Sequence, residues 1–135
     1  MAQLHCIVVT PEKAELEQKA DFVALPLYDG EIGFAPGRAP LIGRLGFGEM
    51  RVRVGSSVSR YYVDGGFVQL SGNVVSVLTN RAIPAANVNL RAAEDQLTSA
   101  LKLPISTPEQ LQIRDRLIAQ ARGQLRVGRT LPSAP

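Results

Sequence analysis

His5 and Cys6 are the only histidine and cysteine in the chain, so nucleophilic chemistry would have to start from them. They adjoin each other in an apolar, strand-like run, where neighbouring side chains point to opposite faces. The thiol and the imidazole therefore cannot meet as a nucleophile and its base. No Gly-x-Ser-x-Gly turn is present, and the clustered ligands that a metal needs are missing. Gly43-Arg44-Leu45-Gly46-Phe47-Gly48 is rich in glycine but lacks both the Gly-Lys-Ser/Thr ending of a phosphate loop and the spacing of a dinucleotide site. Its glycines are read as bends or bulges between strands. The sequence thus predicts no catalytic residue, no metal and no cofactor. Cys6 has no second cysteine to pair with and reads as a buried, inert thiol in a reducing compartment.

Two groups of charges remain. Glu31 lies between Gly30 and Gly33 in the segment Asp29–Ile42, which holds three glycines and two prolines. Each glycine permits backbone angles closed to other residues and each proline fixes φ, so the path of this segment is specified. A carboxylate there is either simply solvated or a stiffly held contact for a polar loop on a partner. The second group is Arg114, Arg116, Arg122, Arg126 and Arg129, opposed locally only by Glu109 and Asp115. Such arginines make a solvated face, or they recognise anions. Nucleic acid is disfavoured because no aromatic residue follows Phe67. An acidic protein surface suits them better, since guanidinium pairs with carboxylates in a bidentate fork.

The charge is unevenly placed. Residues 1–84 hold eight basic and eight acidic side chains, and residues 85–135 hold seven and four, so the net +3 lies in the C-terminal part. At 135 residues the chain has room for one domain, or for one small domain with an appendage. Its longest apolar runs are far too short to span a bilayer, and no signal peptide is evident.

The elements that must position these charges divide the same way. Up to about Ile83 the signals are those of short strands: Ile7-Val8-Val9, Phe22-Val23-Ala24-Leu25, and the period-two alternation of Met50-Arg51-Val52-Arg53-Val54. Asp29-Gly30, Asp64-Gly65-Gly66 and Gly72-Asn73 read as tight turns between them. Strands so closely spaced predict an antiparallel β-sandwich or flattened barrel. After Pro84, residues 87–102 place Leu90, Ala93, Leu97, Ala100 and Leu101 at helical spacing, and Leu103-Pro104-Ile105-Ser106 breaks the helix. Thr107, Pro108 and Gln110 form the signature of a capping box opening a second helix, with Leu111, Ile118, Ala121 and Leu125 on one face and Gly128 at its end. Helices of this length are marginal alone, and Gly123 costs the second roughly 1 kcal/mol relative to Ala. The pair is either an ordinary two-helix cap or an arm that depends on docking and can leave it.

Gly30-Glu31-Ile32-Gly33-Phe34-Ala35-Pro36-Gly37-Arg38-Ala39-Pro40-Leu41 resembles a signature of the epsilon subunit of bacterial-type F-type ATP synthases, Gly-Glu-(Leu/Ile)-Gly-x-x-Pro-Gly-His-Ala-Pro-Leu, with Arg38 in place of the usual histidine. Gly65-Gly66-Phe67-Val68, Val74-Val75-Ser76-Val77-Leu78, Arg91-Ala92 and Gln124-Leu125-Arg126-Val127 resemble further family segments in the same order. The resemblance implies an α+β, mainly β protein: an antiparallel sandwich of about ten strands over residues 1–84, which docks on the rotor, and a regulatory antiparallel helical hairpin over residues 85–135. It implies a non-catalytic central-stalk subunit that couples proton transport to ATP synthesis and restrains ATP hydrolysis. The implied partners are the gamma subunit, the c-ring and the beta and alpha subunits, with no nucleic acid and with the membrane met only through the complex, on the cytoplasmic face of the inner (plasma) membrane. By position, Glu31, Gly33, Pro36, Gly37 and Arg38 would contact the rotor and c-ring, and Arg114, Arg116, Arg122 and Arg126 would make the inhibitory contact. The family's nucleotide motif survives only as the remnant Arg91 and Ala92. Val88 and Asn87 occupy its Asp and Ile/Leu positions, and Gln120 and Gln124 stand where ATP-binding members carry arginine. No nucleotide site is expected. The alternative is a free-standing β-sandwich binding module with a helical cap.

Overall fold

Along Leu4–Val9 alternate residues Leu4, Cys6 and Val8 are buried while the residues between them face outward, as a half-buried strand requires. The same logic generates the sheet. The computed structural model describes residues 2–129. Its strands are β1 (Leu4–Val9), β2 (Ala14–Ala20), β3 (Phe22–Leu27), β4 (Gly30–Phe34), β5 (Leu41–Val54), β6 (Ser57–Ser71), β7 (Val74–Leu78) and β8 (Ala82–Pro84). A 3-10 turn over Ala85–Asn87 leads to α1 (Leu90–Leu101) and α2 (Pro108–Arg129). The strand order is β2-β1-β7-β6-β5-β3-β4, with β8 beside β6. Neighbours are antiparallel except β1 and β7, which run parallel, a departure from the all-antiparallel expectation.

Eight strands stand among the described residues where about ten were expected. The difference lies in β5 and β6, of 14 and 15 residues, which remain paired from Leu41↔Leu70 to Val54↔Ser57. One half of this ribbon joins β7, and the other joins β3 and β8. Each long strand therefore serves both layers without a break. Side chains of both layers, such as Cys6, Val75 and Val77 with Val23, Phe34 and Met50, meet in a single core.

Asp64-Gly65-Gly66, expected as a hairpin turn, instead lies inside β6. Gly65 and Gly66 take φ of +69° and +104°, and a Cβ at Gly66 would fall 1.8 Å from the Leu78 carbonyl oxygen. The same positive φ that makes a hairpin turn here makes a bend in a continuous strand. The Gly72-Asn73 turn stands as expected between β6 and β7, with φ of +56° and +63°. Cys6 is fully buried, and burial pushes its thiol up to about 11.

In the hairpin, Asn89 Oδ1 accepts from the Ala92 amide (3.0 Å) and starts α1. The Thr107 capping box forms reciprocally, Gln110 N to Thr107 Oγ1 (3.1 Å) and Thr107 N to Gln110 Oε1 (3.2 Å). Gly128, expected to end α2, lies within it. The helix runs on to Arg129, and a Cβ at Gly128 would meet Leu90 Cδ2 at 2.7 Å, so this glycine serves close packing. Leu111 stays exposed, because the buried residues of α2 all lie between Ile118 and Val127. Residues 130–135 of the expected hairpin domain lie outside the described residues. No helix among the described residues is long and apolar enough to cross a membrane.

Gly66→Ala should lower sandwich stability by roughly 3 kcal/mol or more, because strain at positive φ adds to a main-chain collision. Urea denaturation measures the loss, and alkylation of Cys6, blocked in the native protein, should follow the same transition.

Candidate functional site

The opening segment is closed on itself by side chains. Glu31 sits on edge strand β4, opposite Pro26, and not in the turn. Its carboxylate receives both terminal nitrogens of Arg51, Nη2 to Oε1 at 2.8 Å and Nη1 to Oε2 at 3.3 Å. That hydrogen bond, chiefly, holds the Arg51 guanidinium above its ordinary pKa. Arg51 Nη1 also reaches Glu49 Oε1 (3.2 Å), Arg60 Nε donates to Glu49 Oε2 (2.8 Å), and Arg60 Nη2 donates to the Val127 carbonyl of α2 (3.0 Å). A chain of alternating charges thus runs from Glu31 across the sheet to the helical hairpin. Its members become steadily less exposed, from 54% at Glu31 to 37%, 21% and 11% at Arg51, Glu49 and Arg60. The inner pairs are the stronger ones, because water screens them less.

Arg38, the departure from the family pattern, has its own local role. Its Nη1 donates to the Gly33 carbonyl (3.0 Å), and its guanidinium lies 5.6 Å from the Phe34 ring centroid. Gly37, at φ +88°, donates its amide to Asn73 Oδ1 (2.9 Å) and ties the segment to the β6–β7 turn. At Gly33 a Cβ would lie 2.4 Å from the Phe22 ring, so that glycine allows the strand to pass over an aromatic side chain. Pro36 is half-buried on the same path.

On α2 the arginines separate. Arg114, Arg122 and Arg126 line one groove of about 450 Å³ with Phe47, Leu101 and Ile118. The spacing 114, 118, 122, 126 puts them on one helix stripe, a signal that the sequence carried. Arg116 points elsewhere and borders a second groove. Arg126 Nη2 donates to the Phe47 carbonyl (3.3 Å), and Arg129 pairs with Glu94 of α1. Arg91 and Ala92 are exposed at the start of α1. Gln120, by contrast, faces the sandwich, with Nε2 3.4 Å from Asp64 Oδ2 and Oε1 3.4 Å from Gln96 Nε2. Gln124 is 6% exposed, and its Nε2 has no hydrogen-bond partner. Asp64 is the buried centre of this contact. It accepts from the Tyr62 hydroxyl (2.7 Å) and from Arg81 Nε (3.4 Å). Burial first, and then Asp64, push the Tyr62 hydroxyl pKa upward.

Sequence reasoning missed one surface. Val9, Leu78, Phe67 and Arg44 are successive partners across β1, β7, β6 and β5 and share the outer face of the sheet. Phe67 and Leu78 are 58% and 56% exposed, and Ile42, two residues along β5 from Arg44, is 74% exposed. Val9, Arg44, Phe67 and Leu78, with Leu45, Phe47 and Tyr28, border a mostly apolar groove of about 920 Å³, where Arg44 lies 4.7 Å from the Tyr28 ring centroid. A contiguous apolar surface of this kind marks an interaction face. The available signal was Val74-Val75-Ser76-Val77-Leu78, apolar at positions of both faces in a strand with only one side in the core. Among the described residues no group of three or more His, Cys, Asp or Glu is placed to hold a metal ion.

Residues 3–85 match the sequence model of the family described as ATP synthase, Delta/Epsilon chain, beta-sandwich domain. A Rhodopirellula baltica protein named ATP synthase epsilon chain is 54% identical over 126 residues, covering 93% of this chain and 98% of its own. A Granulibacter bethesdensis protein of the same name is 38% identical over 101 residues, 74% of this chain and 75% of its own. The fold is similar to a chain of the Euglena gracilis mitochondrial ATP synthase OSCP/F1/c-ring structure, with a TM-score of 0.80 at 18% identity over 91% of this chain and 79% of that one. It is also similar to a chain of the Tetrahymena thermophila mitochondrial ATP synthase central stalk/c-ring structure, with a TM-score of 0.73 at 13% identity over 94% and 97%.

The burial gradient along the charge chain predicts an order of effects. Glu31→Gln should change stability by less than about 0.5 kcal/mol, whereas Glu49→Gln, which strips a carboxylate from the half-buried Arg60, should cost about 1–2 kcal/mol. Chemical denaturation of the two variants checks the order, and equal losses would contradict it.

Proposed function

The chain belongs to the epsilon-chain family of ATP synthases, and on that premise we propose that it is a non-catalytic subunit of the rotating central stalk, coupling proton transport to ATP synthesis and restraining ATP hydrolysis. The observation that carries the docking role is the apolar strip Ile42, Phe67 and Leu78 on the outside of the sandwich. A surface of that kind is kept from water by a partner, and in this reading the partner is the gamma subunit. Glu31, Gly33, Pro36, Gly37 and Arg38 form the rotor end of the sandwich, facing the c-ring. Glu31 would meet a polar c-ring loop with its charge already shared with Arg51. Residues 1–84 act as the docking domain and residues 85–135 as the regulatory one.

The hairpin carries the regulatory role. It touches the sandwich through a few polar contacts, at Asp64, Phe47 and Arg60, and through mostly small or slender side chains. Such a contact is stable enough to persist and weak enough to open. Once undocked, Arg114, Arg116, Arg122 and Arg126 would reach acidic segments of the beta and alpha subunits. The complex would hold this peripheral subunit at the cytoplasmic face of the membrane.

Three measurements test this reading. From a tagged preparation the full chain should bring gamma with it, and Phe67→Ser combined with Leu78→Ser should lose gamma without unfolding, since both side chains are exposed. Removing residues 86–135 should leave gamma bound and raise ATPase activity of the complex, and unchanged activity would remove the inhibitory role. In the third, calorimetric titration with ATP should show no micromolar binding. Gln120 and Gln124 are turned into the sandwich contact and present no cation to phosphate.

A further inference from the structure

Gly123 stands in the middle of α2, where glycine is the weakest ordinary helix former. The helix backbone at that point is pressed onto β5. A Cβ on Gly123 would lie 2.8 Å from the Phe47 carbonyl oxygen and 3.1 Å from both the Phe47 carbonyl carbon and Tyr62 Cε1. The obstruction is main chain in the bend of the β5–β6 ribbon, and it cannot rotate aside as a side chain would. Arg126, one turn further along α2, donates to the same carbonyl at 3.3 Å.

We propose that Gly123 and the Phe47 carbonyl form a docking notch that sets the balance between the docked and undocked hairpin. The missing methyl group lets α2 seat on the sandwich, and the seated helix holds Arg126 against Phe47. An arginine assigned to the acidic target is thereby engaged at home until α2 leaves. This deepens the reading of the hairpin as a movable arm, and it rests on that reading. Gly128 provides the contrast, because the three atoms nearest to a Cβ there belong to side chains, Leu90 Cδ2 at 2.7 Å and Val88 Cγ1 and Cβ at 3.0 and 3.2 Å. The nearest of them, Leu90 Cδ2, is the far end of a flexible side chain and can move.

The test turns on a sign. Helix propensity alone predicts that either Gly→Ala substitution firms α2 and slows its proteolysis. The notch predicts the opposite at one position only. In the purified full chain, trypsin should cleave after Arg122 and Arg126 about tenfold faster or more in Gly123→Ala, and within about threefold of the parent rate in Gly128→Ala. Cys6 should stay closed to alkylation throughout, reporting an intact sandwich. Unchanged or slower cleavage in Gly123→Ala would overturn the notch. So would faster cleavage accompanied by Cys6 alkylation, since the sandwich itself would then be opening. The inhibitory role is judged separately in the assembled enzyme. There Gly123→Ala should lower ATPase activity, and an undocked variant with unaltered activity would sink that role while supporting the notch.

Discussion

The structure depends on the place where the two long strands bend, with Phe47 of β5 paired opposite Asp64 of β6. The bend lets one ribbon serve both layers, and so closes a single core around Val68, Leu70 and Val75 on one side and Val23, Met50 and Val52 on the other. It also turns backbone and side-chain acceptors outward at one spot. The Phe47 carbonyl takes Arg126, and the Asp64 carboxylate takes Tyr62, Arg81 and Gln120. Bends in strands leave ladder groups unpaired, and here α2 and its side chains meet some of them.

Two kinds of surface follow. The contact of the hairpin with the sandwich combines a few polar bonds with small or slender side chains, so its net stabilisation is modest. The outer strip at Phe67, Leu78 and Ile42 is apolar, so a partner seated there gains from removing area from water. The difference suits the proposed function, in which the sandwich stays attached and the hairpin docks reversibly. The charge chain runs from Glu31 to Arg60, and its strength rises toward Arg60 as exposure falls. Its outermost pair is the one that a rotor contact could exchange at little cost.

Much of the fold was legible because local rules agreed. A β-branched run marked β1, alternation marked the second half of β5, the Thr107-Pro108-Gln110 capping box marked the start of α2, and the Gly72-Asn73 turn formed as its residue types require. Ambiguity arose where one signal serves two geometries. Asp64-Gly65-Gly66 has the chemistry of a hairpin turn, and only the pairing of β6 with β5 along its whole length made it a bend. Gly128 reads as a helix stop, and only the nearness of Leu90 and Val88 made it a packing position. Arg116 shares its helix with Arg114 and Arg122, yet it borders a different groove, because a helix stripe is decided by rotation against its neighbours.

The sequence by itself determined the order of elements, the absence of a nucleophile–base pair at His5 and Cys6, the concentration of positive charge after residue 85, and a family signature around Glu31. These are properties of composition, periodicity and short spacing, which local interactions suffice to express. The tertiary structure alone decided which charges meet. It joined Glu31 to Arg51, turned the half-buried Gln120 to Asp64, buried Gln124, exposed Phe67 and Leu78, and brought Gly123 onto a carbonyl 76 positions earlier in the chain. Contacts between residues so far apart come from how strands bend and layers close, and no local pattern records them.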